Sequence, residues 1–168
     1  MELEISPYVG AGAIRFGMSR TEVARAFPGK LRDASSDVGI WDTSADGNFQ
    51  IAYTDTSPHS CTTLMIAAPQ PLHFHGKNLF DGSSIRELTF WLHGLDQNID
   101  LRLDGVVSYK YGICLQSDDL QCFADASLDS VVLFAKTHHA DIPTDENFSR
   151  QMTWSQFLAL PSTSDVNR

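Results

Sequence analysis

Apolar residues recur at helical spacing in three short stretches of the chain, and each stretch begins with the same local signal. A Ser or Thr is followed three residues later by Glu or Gln, which is the pattern of a capping box at the start of an α-helix. The three N-cap residues are Ser19, Ser84 and Thr153. The first helix must end before Pro28, and Gly94 is placed to end the second in a left-handed conformation. The sequence therefore predicts three short helices.

Between the first two helices, the residue pattern is typical of β-strands separated by turns. The predicted strands there are residues 38–43, 48–54 and 61–68. The same order returns after the second helix, where Asp104 and Gly105 form the strongest hairpin signal. The predicted strands of this second stretch are residues 99–103, 106–109, 112–116 and 131–136. Both stretches predict antiparallel meanders.

The two helix-and-strand stretches correspond to each other at a nearly constant spacing. Ser19 and Ser84 are 65 residues apart, and Phe16 and Phe80 are 64 residues apart. This spacing predicts a tandem repeat of one unit over residues 8–70 and 71–137, followed by a C-terminal helix and tail over residues 138–168. The predicted fold is one α+β domain over residues 1–168, with short helices packed on antiparallel β-sheet in two layers. The alternative is a single α+β domain in which two similar helix starts arose by chance.

Composition and charge narrow the function classes. The chain has 168 residues and a formal net charge of −9, which argues against nucleic acid or an anionic membrane as the main partner. The odd cysteine count (Cys61, Cys114 and Cys122), without CxxC spacing, suits a reducing compartment. The acidic first residues do not form a signal peptide, and no apolar run approaches the roughly 20 residues that span a bilayer. We therefore expect a cytoplasmic protein.

Two pairs of residues suggest chemistry without completing a site. His73 and His75 are two positions apart, so an extended strand there would put both imidazoles on one side, where they would begin a zinc site. His59 and Cys61 have the residue types of a cysteine hydrolase. Neither pair has an evident further ligand or orienting group. The prediction is therefore no catalytic residue, no metal and no cofactor, and the alternative is a small cysteine/histidine-dependent or metal-dependent hydrolase.

Acidic residues are concentrated in the second half of the chain. Residues 1–84 contain 6 basic and 9 acidic residues, whereas residues 85–168 contain 6 basic and 12 acidic residues. The candidate partner-binding residues are Asp96, Asp100, Asp104, Asp118, Asp119, Asp125 and Asp129, together with the aromatic residues Tyr109 and Tyr111. One interpretation is that these aspartates form turns and keep the protein soluble. The other is that they form a negative surface that meets a cationic partner.

Residues 10–23 contain the sequence Gly-Met-Ser-x-x-Glu-Val at positions 17–23. This segment resembles an opening found in beta-lactamase-inhibitory-protein-like folds, in outer-membrane lipoproteins of the SmpA type, and in immunity proteins of polymorphic toxin systems, including contact-dependent growth inhibition. The tandem unit is most similar to the first of these, in outline as far as residue 137.

The resemblance implies helix-then-sheet units and inhibition by binding. The chain lacks the signal peptide, disulfide framework and lipobox cysteine expected of the exported members, which leaves the cytoplasmic immunity proteins. The predicted function is therefore a non-enzymatic immunity protein that masks the active surface of a basic toxin domain. A ligand-binding or assembly module is a further alternative.

Overall fold

The computed structural model describes residues 2–118, 125–136 and 151–162. The helices within these residues begin where the sequence predicts: α1 (Arg20–Ala26), α2 (Ile85–Leu95) and α3 (Trp154–Leu158). All three have both hydrogen bonds of a capping box. In α1, the Ser19 N–H donates to Glu22 Oε2 at 2.8 Å. Local sequence is thus sufficient to place these helix starts.

The end of α2 differs from the prediction. The helix continues through Gly94 to Leu95, and Asp96 is its C-cap residue. Lys110 Nζ and the Tyr111 hydroxyl donate to the Leu95 carbonyl oxygen at 2.8 and 3.2 Å. Because these side chains satisfy a free carbonyl at the end of the helix, a left-handed glycine is not needed there.

The strands of the described residues form two sheets. The five-stranded sheet has the order β3-β2-β1-β8-β9, and the eight-stranded sheet has the order β10-β11-β12-β13-β7-β6-β5-β4. The strands are β1 (Leu3–Ser6), β2 (Gly10–Ala11), β3 (Ile14–Arg15), β4 (Leu31–Asp33), β5 (Ile40–Ser44), β6 (Phe49–Tyr53), β7 (Cys61–Ala67), β8 (Leu72–Phe74), β9 (Lys77–Asn78), β10 (Asp100–Leu101), β11 (Gly105–Ser108), β12 (Ile113–Gln116) and β13 (Ser130–Phe134).

The α+β class, with short helices and mostly antiparallel sheets, is confirmed. One pairing departs from the prediction, because β1 and β8 are parallel, with Leu3 opposite Leu72. Strands β1 to β4, β8 and β9 were not predicted. They are only two to four residues long, so they carry too little alternation to be recognised without their partners.

The eight-stranded sheet joins the two predicted meanders. Strands β4 to β7 form one half and β10 to β13 the other, and β7 pairs with β13 in antiparallel orientation. Leu64 lies opposite Leu133, and Ile66 lies opposite Val131. All four side chains are buried, and they belong to one hydrophobic core with Val23 of α1 and the inward side of α2. The helices therefore cover one face of a continuous sheet.

Two glycines allow close contacts in the second half. A Cβ atom at Gly105 would lie 2.2 Å from the carbonyl oxygen of Leu115, on the neighbouring strand β12. Gly112 has φ +67°, and a Cβ there would lie 2.8 Å from the Tyr8 ring. Tyr8 reaches this hairpin from the N-terminal strands, and its hydroxyl donates to the Tyr109 carbonyl. The absence of a side chain at Gly112 thus lets the N-terminal segment pack against the β11–β12 hairpin.

Candidate partner-binding surface

Three of the predicted acidic residues gather at one end of the eight-stranded sheet. Asp104 precedes β11, Asp118 follows β12 and Asp129 precedes β13. The Asp118 N–H donates to Asp129 Oδ2 at 2.9 Å, and the Ser117 N–H donates to the Asp104 carbonyl at 2.9 Å. The structure therefore brings these three of the predicted aspartates to one end of the sheet.

A fourth carboxylate at this end comes from the first half of the chain. Asp46 lies in the β5–β6 turn. The end of β7 lies between this turn and Asp129, because the Ala67 N–H donates to the Asn48 carbonyl and the Ala68 N–H donates to the Asp129 carbonyl. Hydrogen bonds from the Ser44 hydroxyl and the Asn48 N–H lower the pKa of Asp46. The acidic residues of the second half alone do not indicate Asp46. We call Asp46, Asp104, Asp118 and Asp129 the acidic end.

The acidic end lacks ion pairs within the described part of the chain. The basic residues at the same end include Lys30, Arg32 and Arg102. Arg32 Nη2 donates to the Ala45 carbonyl at 3.1 Å. Arg102, whose backbone N–H donates to the Gly105 carbonyl, is ion-paired with Asp100. Because none of these cations forms an ion pair with the carboxylates near β11 to β13, the field of those carboxylates extends into solvent.

Two predicted partner-binding residues are instead structural. Asp96 is buried and accepts hydrogen bonds from the Ser108 hydroxyl at 2.6 Å and the Asn98 N–H at 3.0 Å. Its assignment to an exposed surface is wrong, because it caps α2 and fixes that helix to β11. Asp100 is partly buried in an ion pair with Arg102 Nε at 3.2 Å. Both carboxylates hold the fold together.

The two remaining acidic candidates are Asp125 and Asp119. Asp125 is exposed, and its Oδ2 accepts a hydrogen bond from the Ser162 hydroxyl at 2.9 Å. Asp119 lies outside the described residues.

The two tyrosines do not share a surface with the acidic end. Tyr109 and Tyr111 lie in the β11–β12 hairpin, at the opposite end of these strands. The Tyr109 hydroxyl accepts from Arg102 Nη2 at 2.8 Å, and the Tyr111 ring packs 5.2 Å from the Phe74 ring. The tyrosines connect parts of the fold, so the predicted combination of aspartates and tyrosines is not one site.

The structure does not activate the thiol of the hydrolase alternative. Burial raises the pKa of the Cys61 thiol to about 12, which disfavours the reactive thiolate. His59 Nδ1 lies 2.9 Å from the Thr54 carbonyl oxygen. Burial also raises the pKa of Cys114 to about 12. Neither of these two thiols has the lowered pKa of an activated nucleophile.

The two histidines of the zinc hypothesis are also not arranged as predicted. His73 lies on β8, with Nδ1 3.6 Å from Glu2 Oε1. His75 follows the strand in a left-handed conformation, with φ 48°, and its ring packs against Tyr111. Because the strand ends before His75, the two histidines do not lie on one side of it, as the zinc hypothesis required. Within residues 2–118, 125–136 and 151–162, no group of three or more His, Cys, Asp and Glu side chains is placed to hold a metal ion.

On the face of the eight-stranded sheet opposite the helices, the solvent exposure of the side chains differs from strand to strand. One row of directly paired residues crosses all eight strands on this face: Arg32, Thr43, Gln50, Met65, Val132, Cys114, Val107 and Asp100. Arg32 and Gln50 are exposed and Met65 and Val132 are half-buried, whereas Val107 is fully buried. The accessible part therefore lies over β4, β5, β6, β7 and β13, with Arg32 at its β4 edge.

We call the region over β5, β6, β7 and β13 the open face and define it by Trp41, Thr43, Gln50, Thr63, Met65 and Val132. None of these side chains is ionisable, and each is exposed or half-buried. Trp41 bends back over Gly39, where a Cβ atom would lie 2.8 Å from the indole Nε1. Tryptophan and methionine are enriched at protein interfaces, so this composition suits contact with another protein.

A buried polar network supports the sheet beneath the open face. Arg20 of α1 pairs with both carboxylate oxygens of Asp42 on β5, and the Tyr53 hydroxyl donates to Asp42 Oδ2 at 2.8 Å. Burial and the Asp42 carboxylate raise the pKa of Tyr53 well above its usual range. Sequence reasoning missed this network, because its three members come from separate elements.

Comparisons with known proteins identify no relative: no family model, curated protein or solved structure matches the chain. The likeness of residues 10–23 to immunity and inhibitor families therefore stays a prediction. No helix of the described residues is long and apolar enough to cross a membrane.

Proposed function

We propose that this protein is a non-enzymatic binding inhibitor that contacts another protein with the open face. The observation that carries the proposal is the continuous eight-stranded sheet, which packs one face under helices and presents uncharged side chains on part of the other. In the form proposed, it is a cytoplasmic immunity protein that covers the active surface of a toxin domain. Nucleic acid and membrane are not partners in this proposal.

The charge distribution supports a basic partner. The chain carries a net charge of −9, and the acidic end lies beside the open face. Complementary charge raises the association rate, whereas the contact at the centre of an interface sets most of the dissociation rate. We therefore assign attraction of the partner to the acidic end and its retention to the open face.

A tandem origin of the sheet is also part of the proposal. The order of the eight strands places β4 to β7 and β10 to β13 as two matching runs that meet in the middle. The two N-cap residues support this correspondence, because Ser19 forms an isolated bridge with Ser60, before β7, and Ser84 forms one with Ser127, before β13. Joining two copies edge to edge makes a sheet twice as wide as one unit provides.

The first test concerns the open face. The probe is the polypeptide encoded immediately upstream of this chain, purified and titrated calorimetrically. Met65→Arg places a cation on the open face opposite a basic partner, so we expect binding at least about tenfold weaker than wild type. Thr21→Arg, on the exposed side of α1, adds the same charge away from the face and should leave the dissociation constant within about twofold.

Two results would count against the proposal in different ways. Binding that is equally strong with Met65→Arg would exclude the open face while leaving an inhibitory role intact. No one-to-one complex with the upstream polypeptide would exclude the immunity function. Turnover of a small substrate by the isolated protein would favour the hydrolase alternative instead.

The second test concerns the acidic end. Replacing Asp104 and Asp118 together by Asn should slow association with the same polypeptide by about threefold to tenfold at low salt and leave dissociation nearly unchanged. Stopped-flow measurements from low to high ionic strength provide the comparison, and the difference from wild type should shrink as salt screens the carboxylates. An association rate that does not depend on salt in wild type would contradict the role of these residues.

A further inference from the structure

The two edges of the eight-stranded sheet differ in whether this chain covers them. At the β10 edge, Arg102 forms an isolated bridge with Gln151, and the Met152 N–H donates to the Leu101 carbonyl at 2.8 Å. At the opposite edge, β4 pairs with β5 and with no other strand of the described residues. Within that part of the chain, β4 therefore keeps a row of backbone groups without a strand partner, and such a row is a template for an extended chain.

The hydrogen bonding between β4 and β5 shows which backbone groups of β4 point outward. The N–H of Ala34, one position after Asp33, donates to the Trp41 carbonyl at 2.9 Å. Bonded and non-bonded pairs alternate along an antiparallel ladder. The N–H and carbonyl groups of Leu31 and Asp33 therefore point away from β5, whereas those of Arg32 bond to it. An added strand would form its hydrogen bonds at Leu31 and Asp33.

Side-chain contacts hold the β4 edge in position. Just beyond β4, the Ser35 hydroxyl accepts from the Trp41 N–H at 3.1 Å and donates to the Trp41 carbonyl at 3.3 Å, which continues the attachment to β5. Arg20 of α1 forms an ion pair with Asp33 at 3.3 Å. Because the edge is formed before any partner arrives, pairing with it costs little conformational entropy in this chain.

The side chains of the β4 edge define the kind of strand that fits it. Arg32 is exposed on the same side of the sheet as the open face, and Leu31 and Asp33 alternate with it on the helix side. Leu31 is half-buried and packs against the core, whereas the Asp33 side chain is 64% exposed. Charged side chains on an edge strand disfavour indiscriminate pairing, so a partner strand has to match them.

We propose that the β4 edge pairs with an extended segment of the partner protein, which adds a ninth strand to the sheet. This inference rests on the proposed function, because the segment belongs to the same partner that covers the open face. The open face begins on β5, the strand beside β4, so one protein can contact both. The segment that fits presents an acidic side chain beside Arg32 and, on its other side, an apolar side chain beside Leu31 and a basic one beside Asp33.

Amide hydrogen exchange, measured by NMR on the full chain with and without the polypeptide encoded immediately upstream, tests the proposal. The Leu31 and Asp33 amides should exchange at least about tenfold more slowly in the complex, because an added strand accepts their hydrogen bonds. The Arg32 amide is the internal control, since it bonds to β5 in both states and should slow less. A complex in which Leu31 and Asp33 exchange as fast as in the free chain overturns the strand pairing and leaves the proposed function intact.

Asp33→Pro and Asp33→Ala are a matched pair of variants. Both remove the carboxylate, but only proline also removes the outward N–H, and proline is tolerated on an edge strand where that group faces solvent. Calorimetry with the same polypeptide should show Asp33→Pro binding at least about tenfold more weakly than Asp33→Ala. Circular dichroism and thermal unfolding establish whether both variants keep the wild-type fold.

The outcomes separate the strand pairing from the proposed function. Equal binding by the two folded variants overturns the strand pairing alone. The exchange measurement uses the wild-type chain, so it decides the question even where Asp33→Pro does not fold. Absence of a one-to-one complex with the wild-type chain excludes the proposed function, and the strand pairing with it.

Discussion

Leu133→Ala is expected to lower the free energy of unfolding by about 3–4 kcal/mol, within the usual range for a fully buried leucine. Leu133 is buried opposite Leu64, at the junction of β7 and β13 that joins the two halves of the eight-stranded sheet. Truncation leaves a cavity against core residues of both halves, since the sheet cannot collapse around it without losing strand pairing. For a chain of this size the melting temperature should fall by roughly 10 °C.

Urea and thermal unfolding followed by circular dichroism measure this effect. Val132→Ala is the control, because Val132 is the next residue on the same strand and lies half-buried on the opposite face. Its cost should be under about 1.5 kcal/mol. Both variants should unfold in one transition, because the junction makes the halves cooperative. Two separate transitions in wild type, or equal costs for the two variants, would show that the junction does not couple the halves.

Arg20→Met is expected to destabilise the protein by about 2–4 kcal/mol. The variant leaves the buried Asp42 carboxylate with the Tyr53 hydroxyl as its remaining side-chain donor. Removing one partner of a buried ion pair typically costs about 3–5 kcal/mol, and the 31% exposure of the Arg20 side chain reduces that figure through solvent screening. Methionine retains much of the aliphatic packing of arginine, so the loss reports mainly on charge and hydrogen bonding.

A double-mutant cycle isolates this interaction. Asp42→Asn removes the buried charge while keeping an acceptor for the Tyr53 hydroxyl, so Arg20→Met should cost at least about 1 kcal/mol less in that background. Chemical denaturation of the four proteins at pH 7 gives the coupling energy. A cost for Arg20→Met that is the same in both backgrounds would mean that the pair does not stabilise the fold.

The candidate surface was only partly predictable from the sequence. The concentration of aspartates indicated Asp104, Asp118 and Asp129 as a group, and the structure gathers them because alternate turns of a meander fall at the same end of the sheet. The sequence pattern could not distinguish these three residues from Asp96, whose carboxylate is turned inward by a hydrogen bond from Ser108, 12 residues away. It also gave no indication of Asp46, which reaches the acidic end only because β7 pairs with β13.

The sequence by itself determined the features that depend on a few neighbouring residues. The helix starts at Ser19, Ser84 and Thr153 belong to this class, since both hydrogen bonds of each capping box join residues three positions apart. The alternation of the longer strands is equally local, and it was sufficient to establish the α+β class.

Only the tertiary structure decided which strands became neighbours and which face of the sheet stayed accessible. The parallel pairing of β1 with β8 and the junction of β7 with β13 join residues more than 60 positions apart. The choice among such pairings is a balance of burial, backbone hydrogen bonding and chain entropy over the whole molecule. That balance turned Asp96 into a helix cap, enclosed Asp42 beside Arg20, and left the open face accessible.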